Sequence, residues 1–112
     1  MRMKSELAIE VRKVQDGVVV EATGEIDISN IDDFKEAMGR AAEMTDGGVS
    51  VDLCGLRFID TAGLAELVVA AKRLKALDKT LQVMVKESGQ PEYVLKTTGL
   101  DVILDICYPE AQ

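Results

Sequence analysis

The residues with the clearest chemistry form one run, Arg57-Phe58-Ile59-Asp60-Thr61-Ala62-Gly63-Leu64-Ala65-Glu66-Leu67. An apolar strand pattern, Val49 to Leu53, leads into a short loop that ends on Asp60, Thr61, Ala62 and Gly63, and a strongly apolar helical pattern begins at once. A hydroxyl therefore sits next to a carboxylate at a helix start. Backbone N–H groups are unpaired there, and the helix dipole favours negative charge. Thr61 is well placed to carry a phosphate, and Asp60 to hold or contest it. The same residue types also serve as ordinary caps, since Asp and Thr are common N-caps.

Other chemistries lack their residues. The chain has no histidine, which removes Ser-His-Asp and Cys-His catalysis, imidazole acid–base work and His-based metal sites. Cys54 and Cys107 form no C-x-x-C pair; each adjoins an apolar strand pattern, and both are expected to be small core residues. No phosphate-cradling P-loop and no G-x-G-x-x-G occurs, and none of the 20 Asp and Glu is singled out as a catalytic pair by its spacing. Thr61 beside Asp60 is a poor nucleophile without a stronger base. The expectation is a protein that is not an enzyme and needs no metal or cofactor.

Composition narrows the partner. Net charge is −7, which disfavours a nucleic-acid binder. The basic stretch Lys72-Arg73-Leu74-Lys75 closes the second helix, where positive charge suits the dipole. Hydrophobic residues make up 47% and charged residues 29%, so a packed core forms, and with 4% aromatics and no Trp that core is aliphatic. The polar start, Met1 to Glu6, lacks an apolar signal core, and no run approaches the ~18 apolar residues of a membrane span. No membrane insertion and a cytoplasmic location with reduced thiols are expected.

The elements that must position the run read β-β-α-β-α-β-α-β, in one domain over residues 1–112. Leu7 to Val14 and Val18 to Thr23 are strands around an Asp16-Gly17 hairpin signal, and Gly24-Glu25-Ile26-Asp27-Ile28 leaves as a loop. Ser29 or Asn30 caps a first helix with Asp32 and Asp33 in its first turn and a buried stripe of Ile31, Phe34, Ala37, Met38 and Ala41. Gly39 weakens that helix by about 1 kcal/mol relative to Ala. Val49 to Leu53 is the third strand, Ala62 to Ala76 the second helix and Thr80 to Lys86 the fourth strand. Pro91 opens a third helix that Gly99 ends, Val102 to Ile106 is a last strand, and Pro109 to Gln112 is expected to fray. Alternation after the hairpin implies an α/β fold with a mixed β-sheet, built from the N-terminal hairpin and β-α-β units and flanked by helices.

The second helix is apolar nearly all round. Leu64, Leu67, Val68, Ala71 and Leu74 make a buried stripe, while Ala65, Val69 and Lys72 fall on another face. Such a helix is either enclosed or awaits a partner. One reading docks another protein on the Ala65–Val69–Lys72 face, starting at Thr61; the other covers that face with the first or third helix.

The combined pattern resembles the STAS family, the sulphate transporter and anti-sigma factor antagonist domains. The likeness rests on Gly24-Glu25-Ile26-Asp27, Val51-Asp52-Leu53, Phe58-Ile59-Asp60-Thr61-Ala62-Gly63-Leu64 and Lys96-Thr97-Thr98-Gly99-Leu100. It implies a single STAS-like domain. It also implies that Thr61 matches a phosphoacceptor, with Asp27 an acidic loop residue nearby and Asp60 the acid just before it. In bacterial anti-sigma factor antagonists, the unphosphorylated form binds an anti-sigma factor kinase, phosphorylation breaks the complex, and a phosphatase restores it. The expected partner-binding set is Asp27, Asp60, Thr61, Ala62, Gly63, Ala65, Val69 and Lys72. Many antagonists carry Asp-Ser-Ser-Gly or Asp-Ser-Thr-Gly where this chain has Asp60-Thr61-Ala62-Gly63. Asp-Thr-Ala-Gly-Leu also resembles the STAS subunits of bacterial lipid-transport ABC ATPases, in which the Thr lies at a docking surface. A constitutive docking subunit is therefore the alternative expectation.

Overall fold

Strict alternation of buried and more accessible residues in the second strand, with Val18, Val20, Ala22 and Ile26 all inward, fixes which side of the sheet becomes core. In the computed structural model, which describes residues 3–109, the elements are β1 Leu7–Val14, β2 Gly17–Ile26, α1 Ile31–Glu43, β3 Gly48–Ile59, α2 Thr61–Ala76, β4 Thr80–Met84, α3 Gln90–Thr97, α4 Leu100–Ile103 and β5 Asp105–Cys107. The expected fraying over 110–112 lies outside the described residues.

The five strands lie in the order β1-β2-β3-β4-β5. β1 and β2 are antiparallel, and every later pair is parallel. This is the expected mixed sheet. Its strand order never reverses, so right-handed crossovers put successive helices on the same side. Register agrees: Val20 pairs with Val51, which pairs with Val83, and all three are buried. Ser50, Asp52, Gln82 and Met84 point to the other side and keep contact with solvent. The core is aliphatic apart from Phe34, as the composition requires.

Several boundaries differ from the sequence expectation, each for a physical reason. The hairpin turn is Gln15-Asp16, and Gly17 opens β2 by pairing with Val14. β2 runs on to Ile26 because Gly24 adopts a φ of +108°, in a place where a Cβ would lie 2.4 Å from the Glu6 carbonyl oxygen. β3 continues to Ile59 rather than stopping at Leu53. Register shifts between Glu21 and Thr23 and between Gly24 and Glu25 leave β3 with extra residues opposite β2, and these bulges break the alternation that marks a strand. Val102 and Ile103 belong to the short α4 and are exposed, so β5 holds only Asp105–Cys107; their β-branched side chains mimic a strand, while Leu104 carries the burial.

The cysteines are not core residues. Cys54 follows the buried Leu53, and Cys107 pairs with Met84, which alternates with buried Val83 and Val85. Both are half-buried on the side of the sheet away from the core. Burial, then the Asp52 hydrogen bond, pushes the Cys54 thiol up to about 12, so it stays protonated and unreactive.

Helix α1 buries the expected stripe of Ile31, Phe34, Ala37, Met38 and Ala41, and Ala42 joins it. A Cβ at Gly39 would meet nothing within 4 Å, and the residue has no positive φ. Gly39→Ala should therefore raise unfolding stability by about 0.4–1 kcal/mol, chiefly through the unfolded state. Urea denaturation of the two proteins checks this, and a lower midpoint for Gly39→Ala would contradict it.

Candidate functional site

The site is built where β2 and β3 end side by side. Ile26 pairs with Ile59, and each strand then releases an acidic residue, Asp27 and Asp60. The Asp60 N–H donates to the Ile26 carbonyl oxygen at 3.0 Å, so the two exits are tied together.

Asp60 is the N-cap of α2. Its Oδ1 accepts from the N–H groups of Ala62 at 2.9 Å and Gly63 at 3.2 Å, and its Oδ2 accepts from the Ile28 N–H at 3.1 Å. One carboxylate thus fixes both the start of α2 and the loop after β2. The expectation of helix N–H groups open to a phosphate is revised here: two of the first three are already occupied by Asp60. The capping reading and a reading of Thr61 as a displayed hydroxyl are compatible, because the cap is Asp60 and Thr61 is the first helical residue, exposed to solvent.

Asp27 is held as firmly. Its Oδ2 accepts from Ser5 Oγ, and its Oδ1 accepts from the Ser29 N–H at 2.9 Å and from Ser29 Oγ at 2.5 Å. The Ser29 hydrogen bond, followed by that of Ser5, holds the Asp27 carboxyl below the usual aspartate range. Asn30 occupies the N-cap position of α1 but makes no side-chain cap bond. Its buried amide braces the loop instead, accepting from Asp27 N–H at 3.0 Å and donating to the carbonyls of Ser5 and Glu25 at 3.1 and 2.9 Å.

Gln90 is a further positioning residue that sequence reasoning missed. Its Oε1 accepts from Ile59 N–H at 2.9 Å and its Nε2 donates to Ile59 O at 3.1 Å, which clamps the start of α3 to the last residue of β3. A Gln before a Pro carries no sequence signal for such a contact; only the fold brings the two together.

The remaining candidates separate by exposure. Gly63 faces inward, and a Cβ there would stand 2.5 Å from Ile59 Cγ1 and 2.9 Å from Ile26 Cγ2, so it has a packing role that lets α2 start close on the sheet. Ala62 is half-buried, whereas Ala65, Val69 and Lys72 are exposed, so neither α1 nor α3 covers that face. Ile28, Ile31, Lys35, Ala62, Ala65, Glu66, Val69 and Arg73 line a groove of about 310 Å³ between α1 and α2. Lys72 lies outside this lining. Inside α2, Glu66 and Ala70 are buried while Val68 and Ala71 are only half-buried, so the inward stripe differs in part from the one expected. Burial pushes the Glu66 carboxyl up, and Arg73 and Lys35 pull it part of the way back.

Among the described residues no His, Cys, Asp and Glu side chains are grouped to hold a metal ion, and no helix is long and apolar enough to cross a membrane. The arrangement leaves Thr61 exposed at the first residue of α2. It presents a neutral hydroxyl beside a groove whose lining is partly apolar and partly charged.

Comparison with known proteins places the chain in a family. The family described as "Mlab, STAS domain" matches residues 9–105. The chain therefore belongs to the STAS domain family. No curated protein sequence matches it. Among solved structures, an anti-sigma factor antagonist from Mycobacterium paratuberculosis is similar with a TM-score of 0.82 and 23% identity, covering 94% of this chain and 87% of that one. A putative anti-sigma factor antagonist from Thermotoga maritima gives 0.72 and 22%, covering 91% and 86%. The Bacillus cell fate determinant SpoIIAA in its phosphorylated form gives 0.68 and 17%, covering 92% of each chain. At these identities the likeness establishes the fold.

The Asp27 network makes a prediction about acid stability. A carboxylate whose folded pKa is lowered contributes stability above its unfolded value, about 3.9, and loses it as pH falls through the folded value. Thermal melts should show Asp27→Asn less stable than wild type at pH 7, with the gap narrowing below about pH 4. A gap that is unchanged down to pH 2 would contradict the assignment.

Proposed function

We propose that the protein is an anti-sigma factor antagonist. It binds an anti-sigma factor/serine-threonine kinase in the cytoplasm, and Thr61 is the phosphoacceptor that controls the complex. The single observation that carries this reading is the exposed Thr61 hydroxyl at the first residue of α2, next to a groove between α1 and α2 that no described element fills. Similarity to anti-sigma factor antagonists, and to SpoIIAA in a phosphorylated form, supports it.

The switch follows from charge. A neutral hydroxyl can be buried against a partner. The kinase transfers the γ-phosphoryl group of ATP to Thr61 Oγ1, with loss of the hydroxyl proton and release of ADP, and a phosphatase returns the hydroxyl by hydrolysis. The phosphate adds about −1.5 to −2 charges at pH 7. The N–H groups of Ala62 and Gly63 are already used by Asp60, so the phosphate gains little from them and faces the Asp60 carboxylate. Burying that charge in an interface is more unfavourable still without a compensating partner. A 100-fold loss of affinity needs only about 2.7 kcal/mol, so no refolding is required. The protein acts by binding and not as an enzyme, and neither nucleic acid nor a cofactor takes part.

Calorimetric titration of the kinase with wild type, Thr61→Ala and Thr61→Glu tests this. Wild type and Thr61→Ala should bind, and Thr61→Glu should bind at least about 100-fold more weakly. Equal binding of Thr61→Glu and Thr61→Ala would show that charge at this position is not the switch.

The motif Asp60-Thr61-Ala62-Gly63-Leu64 favours a second reading, a constitutive docking subunit of a lipid-transport ABC ATPase. On that reading Ala65→Trp and Val69→Trp should abolish co-purification with the ATPase while circular dichroism of the isolated domain stays unchanged, and Thr61 stays unmodified. Retained assembly with both variants would exclude it. A neighbouring sigma factor and kinase gene favour the first reading, and a permease with an ATPase favours the second.

A further inference from the structure

β1 is an open edge of the sheet. It stands first in the strand order, and among the described residues no strand pairs with its outer side. Proteins commonly blunt an edge strand by shortness, proline or a bulge. The other edge strand, β5, is three residues long. β1 is eight residues long, contains no proline or glycine, and keeps one unbroken register with β2 from Leu7–Gly24 to Val14–Gly17. Backbone groups in such a pair alternate, half turned to the neighbouring strand and half away from it. The two-residue turn closes on Val14 and Gly17, and the Glu6 carbonyl oxygen accepts from the Glu25 N–H, so the even-numbered residues bond to β2. The N–H and C=O groups of Ile9, Val11 and Lys13 therefore face the open edge.

The side chains say which strand fits there. Leu7, Ile9 and Val11 lie on the core side and are only half-buried, because the core runs out at this edge. Ala8, Glu10, Arg12 and Val14 lie on the other side and are exposed. A second β1, laid antiparallel with Val11 opposite Val11, matches this strand row by row. Glu10 meets the Arg12 of the second copy, Arg12 meets its Glu10, and Ala8 and Val14 meet each other. On the core side Val11 meets Val11, and Lys13 lays its aliphatic stem over Ile9. Sliding the second strand by two residues in either direction sets Glu10 against Glu10 or Arg12 against Arg12, and like charges directly opposite destabilise a pair. The charges on this edge thus select one register of self-pairing. In the single chain Arg12 has only long contacts, to Glu10 at 3.6 Å and Glu21 at 3.9 Å, so its guanidinium is available. β1 carries one acid, Glu10, against two bases, Arg12 and Lys13, which locally relieves the self-repulsion of a chain with net charge −7.

We propose that β1 pairs with the β1 of a second copy of this chain, antiparallel and centred on Val11, so that two sheets join into one. The copies are then related by a twofold axis perpendicular to the sheet, a closed and isologous arrangement. Both helical layers lie on the same side of the joined sheet. β1 and β2 separate the seam from β3, which leads into Thr61, so the dimer displays two Thr61 hydroxyls. A single strand pair buries less surface than a standard interface, which places the dimer in the weak, reversible class. The inference is independent of the docking reading above.

The test is sedimentation velocity of the full chain over a concentration series, with amide hydrogen exchange read by two-dimensional NMR at both ends of the series. Wild type should pass from a 12.1 kDa monomer to twice that mass with a Kd below about 100 μM. In the dimer the amides of Ile9, Val11 and Lys13 should become protected, whereas those of Glu10 and Arg12, bonded to β2, should be protected throughout. Arg12→Glu sets acid against acid in both charged rows and should weaken the dimer at least about tenfold, and the double variant Glu10→Arg/Arg12→Glu should restore it. The wild-type measurements need no variant to fold. A chain that stays monomeric well above that concentration, a dimer that leaves the Ile9, Val11 and Lys13 amides unprotected, or a folded double variant no tighter than Arg12→Glu would overturn the proposal. Protection of those amides only on addition of a candidate kinase would overturn it too, and would assign the edge to that partner. None of these outcomes bears on the release of the kinase by Thr61→Glu, so the two readings fail separately.

Discussion

The Asp60 carboxylate is the contact on which the site depends. It accepts from three backbone N–H groups in two segments, Ala62 and Gly63 in α2 and Ile28 in the loop after β2. Each accepted bond is charge-assisted and stronger than a neutral one. Together they set the start of α2 against the end of β2, which fixes Thr61 in space and places Ile28 at the mouth of the α1–α2 groove. The same bonds occupy the electropositive N–H groups that would otherwise welcome an anion. The frame that displays the hydroxyl is thus also a frame that offers little to a phosphate.

The sheet explains why this display faces outward. Strand order without reversal buries one side of the sheet beneath a helical layer, and the outer side of that layer is left to solvent. α2 sends Leu64, Leu67, Ala70 and Leu74 into the core and keeps Thr61, Ala65 and Val69 outside. Gly63 permits the close approach of α2 to Ile26 and Ile59, and Gln90 clamps the far side of Ile59. The site is therefore mounted on strand ends and a helix start rather than on a free loop. Fold alone does not assign a function, and the functional reading rests on these particular side chains.

The hairpin, the α1 stripe, Pro91 in the first turn of α3 and the left-handed Gly99 after it were legible in the sequence, because each depends on local periodicity or backbone chemistry. The long β3 was not, since two register shifts against β2 erase its alternation. The four-residue α4 carries no periodicity of its own, and Val102 and Ile103 read as a strand although they are exposed. The cysteines were misplaced because nothing local says which side of the sheet stays open. At the site, Asp60 and Thr61 stood out from residue type and spacing. The diversion of Asn30 into the loop and the Gln90 clamp required the strands to be in register first. The burial of Glu66 follows from how α1 and α2 meet, which a helical wheel of α2 alone does not contain.

The central claim is that the Thr61 hydroxyl is the group a kinase modifies. Its most direct test is intact-mass measurement of the protein after incubation with candidate anti-sigma factor kinases, magnesium and ATP, followed by peptide mapping. The account predicts the gain of a single phosphate, located on Thr61 and absent in Thr61→Ala. A protein that gains no phosphate, or one that gains it on another residue such as Ser29 or Thr97, would contradict it.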